Sequence, residues 1–134
     1  MFAYRLTVQL HHTDAYGIIF FANQLKFCHD TFQAWLEHVG LPLPPTRPAS
    51  GGLLVVVHIE SDYLAPIQVG DKLTVTYRCE RIGTTSVTNA FSFTNQHGVT
   101  VGRARTVHVL IDVTTNAKME LPALYREALA QVTE

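Results

Sequence analysis

The sequence predicts an α+β fold: a five-stranded, curved antiparallel sheet wrapped around one long helix, with a short C-terminal helix. Three observations predict it. Apolar residues alternate at period two over 2–10 and 72–82, they recur at helical period in one long stretch between the first two strands, and tight turns link the later strands. Residues 2–10 open the chain as a strand, with Phe2, Tyr4, Leu6, Val8 and Leu10 on one side. His11 to Gly17 interrupts the alternation, and Ile18 to Phe21 is a short apolar run. From Asn23 to Val39 the period becomes helical: Leu25, Cys28, Phe32, Trp35, Leu36 and Val39 share a face, opposite Lys26, Asp30, Gln33 and Glu37. Asn23 reads as the N-cap, and Gly40 followed by Pro42 as the stop. The proline- and glycine-rich segment 41–52 is an irregular loop.

Four strands follow, read as a meander: 53–64, 72–82, 85–95 and 99–112, with turns at Gly83-Thr84 and Gln96-His97-Gly98. Residues 121–131 form the terminal amphipathic helix, with Pro122 near its first turn. One helix of about five turns cannot cover both faces of five strands. An uncovered face and an open sheet edge therefore predict burial against further copies, as a homodimer or homotetramer.

Composition narrows the function classes. The 134 residues, 47% hydrophobic and 16% charged, suit one globular domain spanning 1–134 without disulfide staples. A formal net charge of −1 leaves no electrostatic footprint for nucleic acid or an anionic membrane. No apolar run approaches the ~18 residues of a membrane span, and no secretory signal pattern opens the sequence, so a cytoplasmic protein is expected. Cys28 and Cys79 could pair, but their spacing matches neither a disulfide framework nor a zinc site. The seven histidines show no ligand spacing either, so no metal is expected.

The segment most able to carry chemistry is His12-Thr13-Asp14-Ala15-Tyr16-Gly17-Ile18-Ile19-Phe20-Phe21-Ala22-Asn23. It places a carboxylate in the loop between a core strand and the start of the core helix, among apolar side chains. N–H groups at a helix start are unpaired and carry partial positive charge, so they can hold a thioester carbonyl and the oxyanion formed on attack. A carboxylate beside that carbonyl can attack it or activate a water. An Asp before a helix is equally a common capping or turn residue, so spacing alone leaves both roles open.

This segment resembles the Asp-x-x-Gly-(Ile/Val)-(Ile/Val)-(Phe/Tyr) signature of hotdog-fold acyl-CoA thioesterases of the 4-hydroxybenzoyl-CoA thioesterase type. Tyr63-Leu64-Ala65-Pro66-Ile67-Gln68-Val69-Gly70-Asp71-Lys72-Leu73 is similar to the family's Tyr-x-x-Pro-x-x-x-x-Asp-x-Leu junction between strands. The two matches fall in the family's order, and the likeness extends over essentially the whole chain. It implies a hotdog fold, Asp14 as the catalytic carboxylate, and the backbone N–H of Phe21 in the oxyanion site. Gly17 would let the backbone turn closely beneath the substrate; an ordinary turn glycine is the competing reading. Relatives often carry Tyr or His where this chain has Phe21, so only a main-chain role transfers there. Tyr16 is bulkier than the small residue common in the family, which bears on pocket shape. Phe27-Cys28-His29-Asp30 with Trp35-Leu36 resembles the 1,4-dihydroxy-2-naphthoyl-CoA hydrolases of quinone synthesis, implying an aromatic acyl-CoA substrate. An apolar, aromatic-walled pocket suits a flat ring, and the same walls suit a short or branched aliphatic chain.

Other residues compete for roles. His29 borders the apolar helix face, where it either contacts substrate or serves as a core-edge histidine. His58, Glu60 and Asp62 share one strand face, as a second cluster or, more simply, a solvated or inter-subunit face. Asp30 and Glu37 are the rival carboxylates, since another hotdog subgroup uses a helix carboxylate. Cys28 reads as core packing. Arg81, Arg103 and Arg105 are candidates for the CoA phosphates. The expectation is an acyl-CoA thioesterase needing no metal or redox cofactor, CoA being part of its substrate. A hotdog dehydratase using His12 or His29, an acyl-carrier-protein thioesterase and a non-catalytic acyl-CoA-binding module are the alternatives.

Overall fold

The structure is a computed structural model that describes residues 1–133. Its elements are β1 (Phe2–Thr7), a 3-10 turn (Leu10–His12), α1 (Ala22–His38), β2 (Gly52–Tyr63), β3 (Lys72–Ile82), β4 (Ser86–Thr94), β5 (Thr100–Asp112) and α2 (Ala123–Ala130). One antiparallel sheet holds all five strands in the order β1-β3-β4-β5-β2. The meander is therefore confined to β3, β4 and β5. β2 does not neighbour β3 but crosses to the far edge, where it pairs with β5 from Gly52↔Asp112 to Tyr63↔Gly102. Its link to β3 contains Pro66 and ends at Asp71, whose carboxylate accepts from the Gln68 N–H and the Gln96 side chain at 2.9 and 3.0 Å. Such a link is too long and irregular for a hairpin, so it carries the chain across the sheet.

Inward-facing side chains alternate along the central strands: Leu73, Val75, Tyr77 and Cys79 on β3, and Val87, Asn89, Phe91 and Phe93 on β4, are all buried. α1 packs against β1, β3 and β5. Its buried face is made by Phe27, Cys28, Phe32, Trp35 and Leu36, while Asp30 and Glu37 lie on the solvent side. The helix ends as expected. Gly40 takes φ 78°, its N–H reaches Glu37 O at 3.2 Å, and the Leu41 N–H reaches Leu36 O at 2.8 Å, the paired bonds of a Schellman motif. α2 closes the end of β3, where the Cys79 N–H donates to Val132 O at 2.7 Å.

Two local expectations change. β1 stops at Thr7, and Leu10 is exposed because the chain turns into the 3-10 segment before reaching it. Asn23 is not the N-cap: α1 begins at Ala22, preceded by Phe21 in helical geometry, and Asn23 instead sends its Nδ2 to His12 O at 2.7 Å. Cys28 and Cys79 are both free and buried. No described helix is long and apolar enough to cross a membrane.

Candidate active site

The loop before α1 is a small closed hairpin. Thr13 and Ile19 pair across it, the Asp14 N–H reaches Ile18 O at 3.2 Å, and the Gly17 N–H reaches Asp14 O at 3.0 Å. Gly17 closes the turn at φ 78°, a left-handed geometry that an L side chain occupies only under strain. Asp14 is a turn residue here, as the plainer reading held: its Oδ1 accepts from the Tyr16 N–H at 2.9 Å. The turn uses only that oxygen. Oδ2 has no partner among the described residues, and the side chain is exposed.

The same accounting at the start of α1 leaves donors free. The Phe20 N–H goes to His12 O, the Asn23 N–H to Phe20 O and the Gln24 N–H to Phe21 O. The N–H groups of Phe21 and Ala22 have no acceptor among the described residues. No side chain folds back over the first turn to cap them.

This first turn is anchored to β2. The Tyr63 hydroxyl donates to Phe21 O at 2.7 Å, and Gln24 Nε2 donates to Ser61 Oγ and Asp62 O, both at 2.9 Å. The Ile19 N–H bonds Ile67 O at 2.8 Å, drawing the link after β2 alongside the Asp14 hairpin. Between them lies a hollow of about 390 Å³ lined by Ile18, Ile19, Phe21, Tyr63, Leu64, Ala65, Pro66 and Ile67. The two sequence segments singled out above thus wall one apolar recess at the foot of α1.

The structure therefore gathers Asp14, Tyr16, Gly17 and Phe21 at one place. Tyr16 projects outward, 88% exposed, and contributes its N–H to the turn. His29 sits apart from the recess, further along α1, on a second cavity of about 110 Å³ with Leu25, Cys28, Phe32, Val56, Ile59, Phe91, Thr106 and His108. Arg81, Arg103 and Arg105 point from the opposite face of the sheet, since the alternate residues Ala104, Thr106 and His108 are the buried ones. Arg105 is engaged there. Its Nε and Nη2 donate to Glu80 at 2.6 and 3.0 Å and its Nη1 to Glu60 at 3.3 Å, and these bonds hold the Glu80 carboxyl below its usual range. His58 Nε2 lies 2.9 Å from Glu60 Oε1 on the same exposed face, which also carries Asp62. Burial pushes the Cys28 thiol well above its ordinary value, consistent with a packing role.

Sequence reasoning gave no role to the Tyr63 hydroxyl, although Tyr63 opens the junction motif, and it missed buried Gln24 and the inner cluster of Tyr77, Asn89, Thr106 and His108. For the last, a signal was present. The outward placing of Arg103 and Arg105 puts Thr106 and His108 on the core side at period two.

The five-stranded antiparallel sheet curved around one long helix is a hotdog-type architecture, the one its thioesterase neighbours share. Residues 8–131 match the family model described as the thioesterase-like superfamily, and the chain belongs to that family. It is 35% identical over 121 residues to the 1,4-dihydroxy-2-naphthoyl-CoA hydrolase of Nostoc punctiforme, covering 90% of this chain and 81% of that protein. It is 36% identical over 124 residues to the enzyme of the same name from Synechococcus sp. (strain CC9605), covering 87% and 80%. Among solved structures it superposes on a 1,4-dihydroxy-2-naphthoyl-CoA thioesterase from Synechocystis with a TM-score of 0.92, at 26% identity and 99% and 98% coverage.

Proposed function

We propose that the protein hydrolyses an aromatic acyl-CoA thioester to the free acid and CoA, and that 1,4-dihydroxy-2-naphthoyl-CoA is its substrate. The observation that carries the reading is the pairing of unused groups at the recess: the Phe21 and Ala22 N–H donors and the free Asp14 oxygen. The relatives' activity supports the substrate class. In the proposed reaction the thioester oxygen lies on the Phe21 N–H, which stabilises the charge that develops on attack. The Asp14 carboxylate then either adds to the carbonyl, expelling CoA thiolate and leaving an anhydride for water to cleave, or takes a proton from the attacking water. Both routes use the same oxygen, and neither draws on a metal or redox cofactor. CoA enters as part of the substrate, and Arg81 and Arg103, unpaired among the described residues, remain the proposed phosphate contacts.

The proposed assembly is at least a dimer, and a homotetramer if the open sheet face is also covered. Exposed Val56, Val57 and Ile59 on β2, beside an unpaired backbone edge, support docking of a second copy there. The proposed location is the cytoplasm.

Thiol release from a panel of aromatic and aliphatic CoA esters, alongside Asp14→Asn, tests the reading. Asn keeps an oxygen for the Tyr16 N–H, so the variant should fold normally and lose about 10²–10⁴-fold in kcat. Turnover confined to aliphatic esters would overturn the aromatic assignment. Full activity in Asp14→Asn would move the carboxylate elsewhere, with Asp30 and Glu37 next.

A further inference from the structure

The cavity under α1 contains a polar device that the proposed chemistry leaves unused. Its walls are mostly apolar, with Leu25, Cys28 and Phe32 from α1, Val56 and Ile59 from β2 and Phe91 from β4, and its polar members are His29, Thr106 and His108. Into them opens the ring of His108, 8% exposed and packed against the Phe32 ring with centroids 4.8 Å apart. A chain of hydrogen bonds behind it sets the ring's proton. The Tyr77 hydroxyl donates to Asn89 Oδ1 at 2.8 Å, which turns the Asn89 amide so that Nδ2 faces Thr106 Oγ1 at 3.4 Å and His108 Nδ1 at 3.3 Å. Burial holds the Tyr77 phenol protonated, so it remains the donor. Nδ1 therefore accepts, and the neutral imidazole carries its proton on Nε2.

Burial, helped by the neighbouring His29, keeps the ring neutral by lowering its pKa to about 4. Nε2 has no partner among the described residues. Among the described residues, the one fully enclosed side-chain polar atom lacking a partner is Gln24 Oε1, so Nε2 is not sealed in; it opens on the cavity that His108 lines. A mostly apolar slot with an oriented buried donor at its wall binds a flat hydrocarbon group that presents an acceptor to it. A closed apolar cavity of ~150 Å³ accepts a benzene ring. This one, at about 110 Å³ and open on one side, takes one edge of a ring system.

We propose that His108 is a specificity-determining residue, its Nε2–H donating to an oxygen on the edge of the aromatic acyl group remote from the thioester. The inference rests on the aromatic acyl-CoA reading and assigns the part of the acyl group that the cavity recognises. Thr106 and Asn89 act through His108, as positioning residues that fix its tautomer.

The test compares 1,4-dihydroxy-2-naphthoyl-CoA with 1-hydroxy-2-naphthoyl-CoA, which lacks only the remote hydroxyl. Wild type should favour the dihydroxy ester about tenfold in kcat/KM, the scale of one hydrogen bond. His108→Phe should bring the ratio to about one by slowing that ester alone, and His108→Gln, which keeps a side-chain N–H, should retain part of the preference. A ratio that survives in His108→Phe, or an equal loss on both esters, would overturn the proposal.

A second measurement needs neither turnover nor a variant. The ¹⁵N shift of His108 Nε2 in the wild-type protein should respond to free 1,4-dihydroxy-2-naphthoate and not to 1-hydroxy-2-naphthoate. No response to either acid would also overturn it. A wild type that hydrolyses neither ester, yet whose His108 responds to the dihydroxy acid, supports the pocket and overturns only the catalytic reading.

Discussion

His108 carries a consequence for stability as well as recognition. Its ordinary pKa is 6.5, and burial lowers it to about 4 in the folded chain. Between those values the unfolded chain binds a proton that the folded chain refuses, so stability falls as pH drops through this window. The share is at most about 3 kcal/mol for a shift of this size. Urea unfolding at pH 7 and at pH 4.5 should show a steep acid loss in wild type and a shallower one in His108→Phe. An equal loss in both would assign the acid sensitivity to carboxylates such as Glu80, which is also held charged by the fold. At this scale the sequence was legible where chemistry is local. Asp14 and Gly17 fall in one short turn before one helix, so local pattern alone located that turn, while the roles proposed for Asp14 and Phe21 came from the family resemblance. His108 was passed over because its role depends on Asn89 and Tyr77, which only sheet pairing brings alongside it.

At the scale of elements, the start of α1 is held by a close fit to two strands. Gln24 is fully buried against Gly102 of β5, where an added Cβ would lie 2.5 Å from Gln24 Oε1. Gly102→Ala should therefore push the Gln24 amide off Ser61 and Asp62. The expected cost is about 1–3 kcal/mol, read as a lowered melting temperature, with a fall in kcat beyond what the remaining folded fraction explains. A variant with normal kcat would show that the Gln24 anchor is dispensable for the helix-start amides. Alternation, apolar runs and turn residues together located all five strands within a few residues. They carry no information about which strand lies beside which. That is why β2 was read beside β3, although it pairs with β5. The same limit explains Asn23, a good capping type whose side chain is claimed by a carbonyl eleven residues earlier.

For the whole molecule, the sheet presents β2 as an edge with apolar side chains on it, and the proposed dimer covers that edge. Val57, 58% exposed beside a bulge in the β2–β5 register, is the position to charge. Val57→Glu should leave the secondary structure intact, shift the mass in light scattering to the monomer and reduce turnover together with it. An unchanged assembly would place the interface on the open face of the sheet, around Arg78, Arg103 and Arg105.

The pairing of β2 with β5 also has a consequence for how the chain is made. β2 is synthesised before β3 and β4 but finds its neighbour only when β5, the last strand, has left the ribosome. Until then Val56, Val57 and Ile59 belong to a segment with neither edge occupied. The docking of β2 should accordingly be a late step of folding, because its partner is the last strand made, and crowding of nascent chains should be most harmful during that interval.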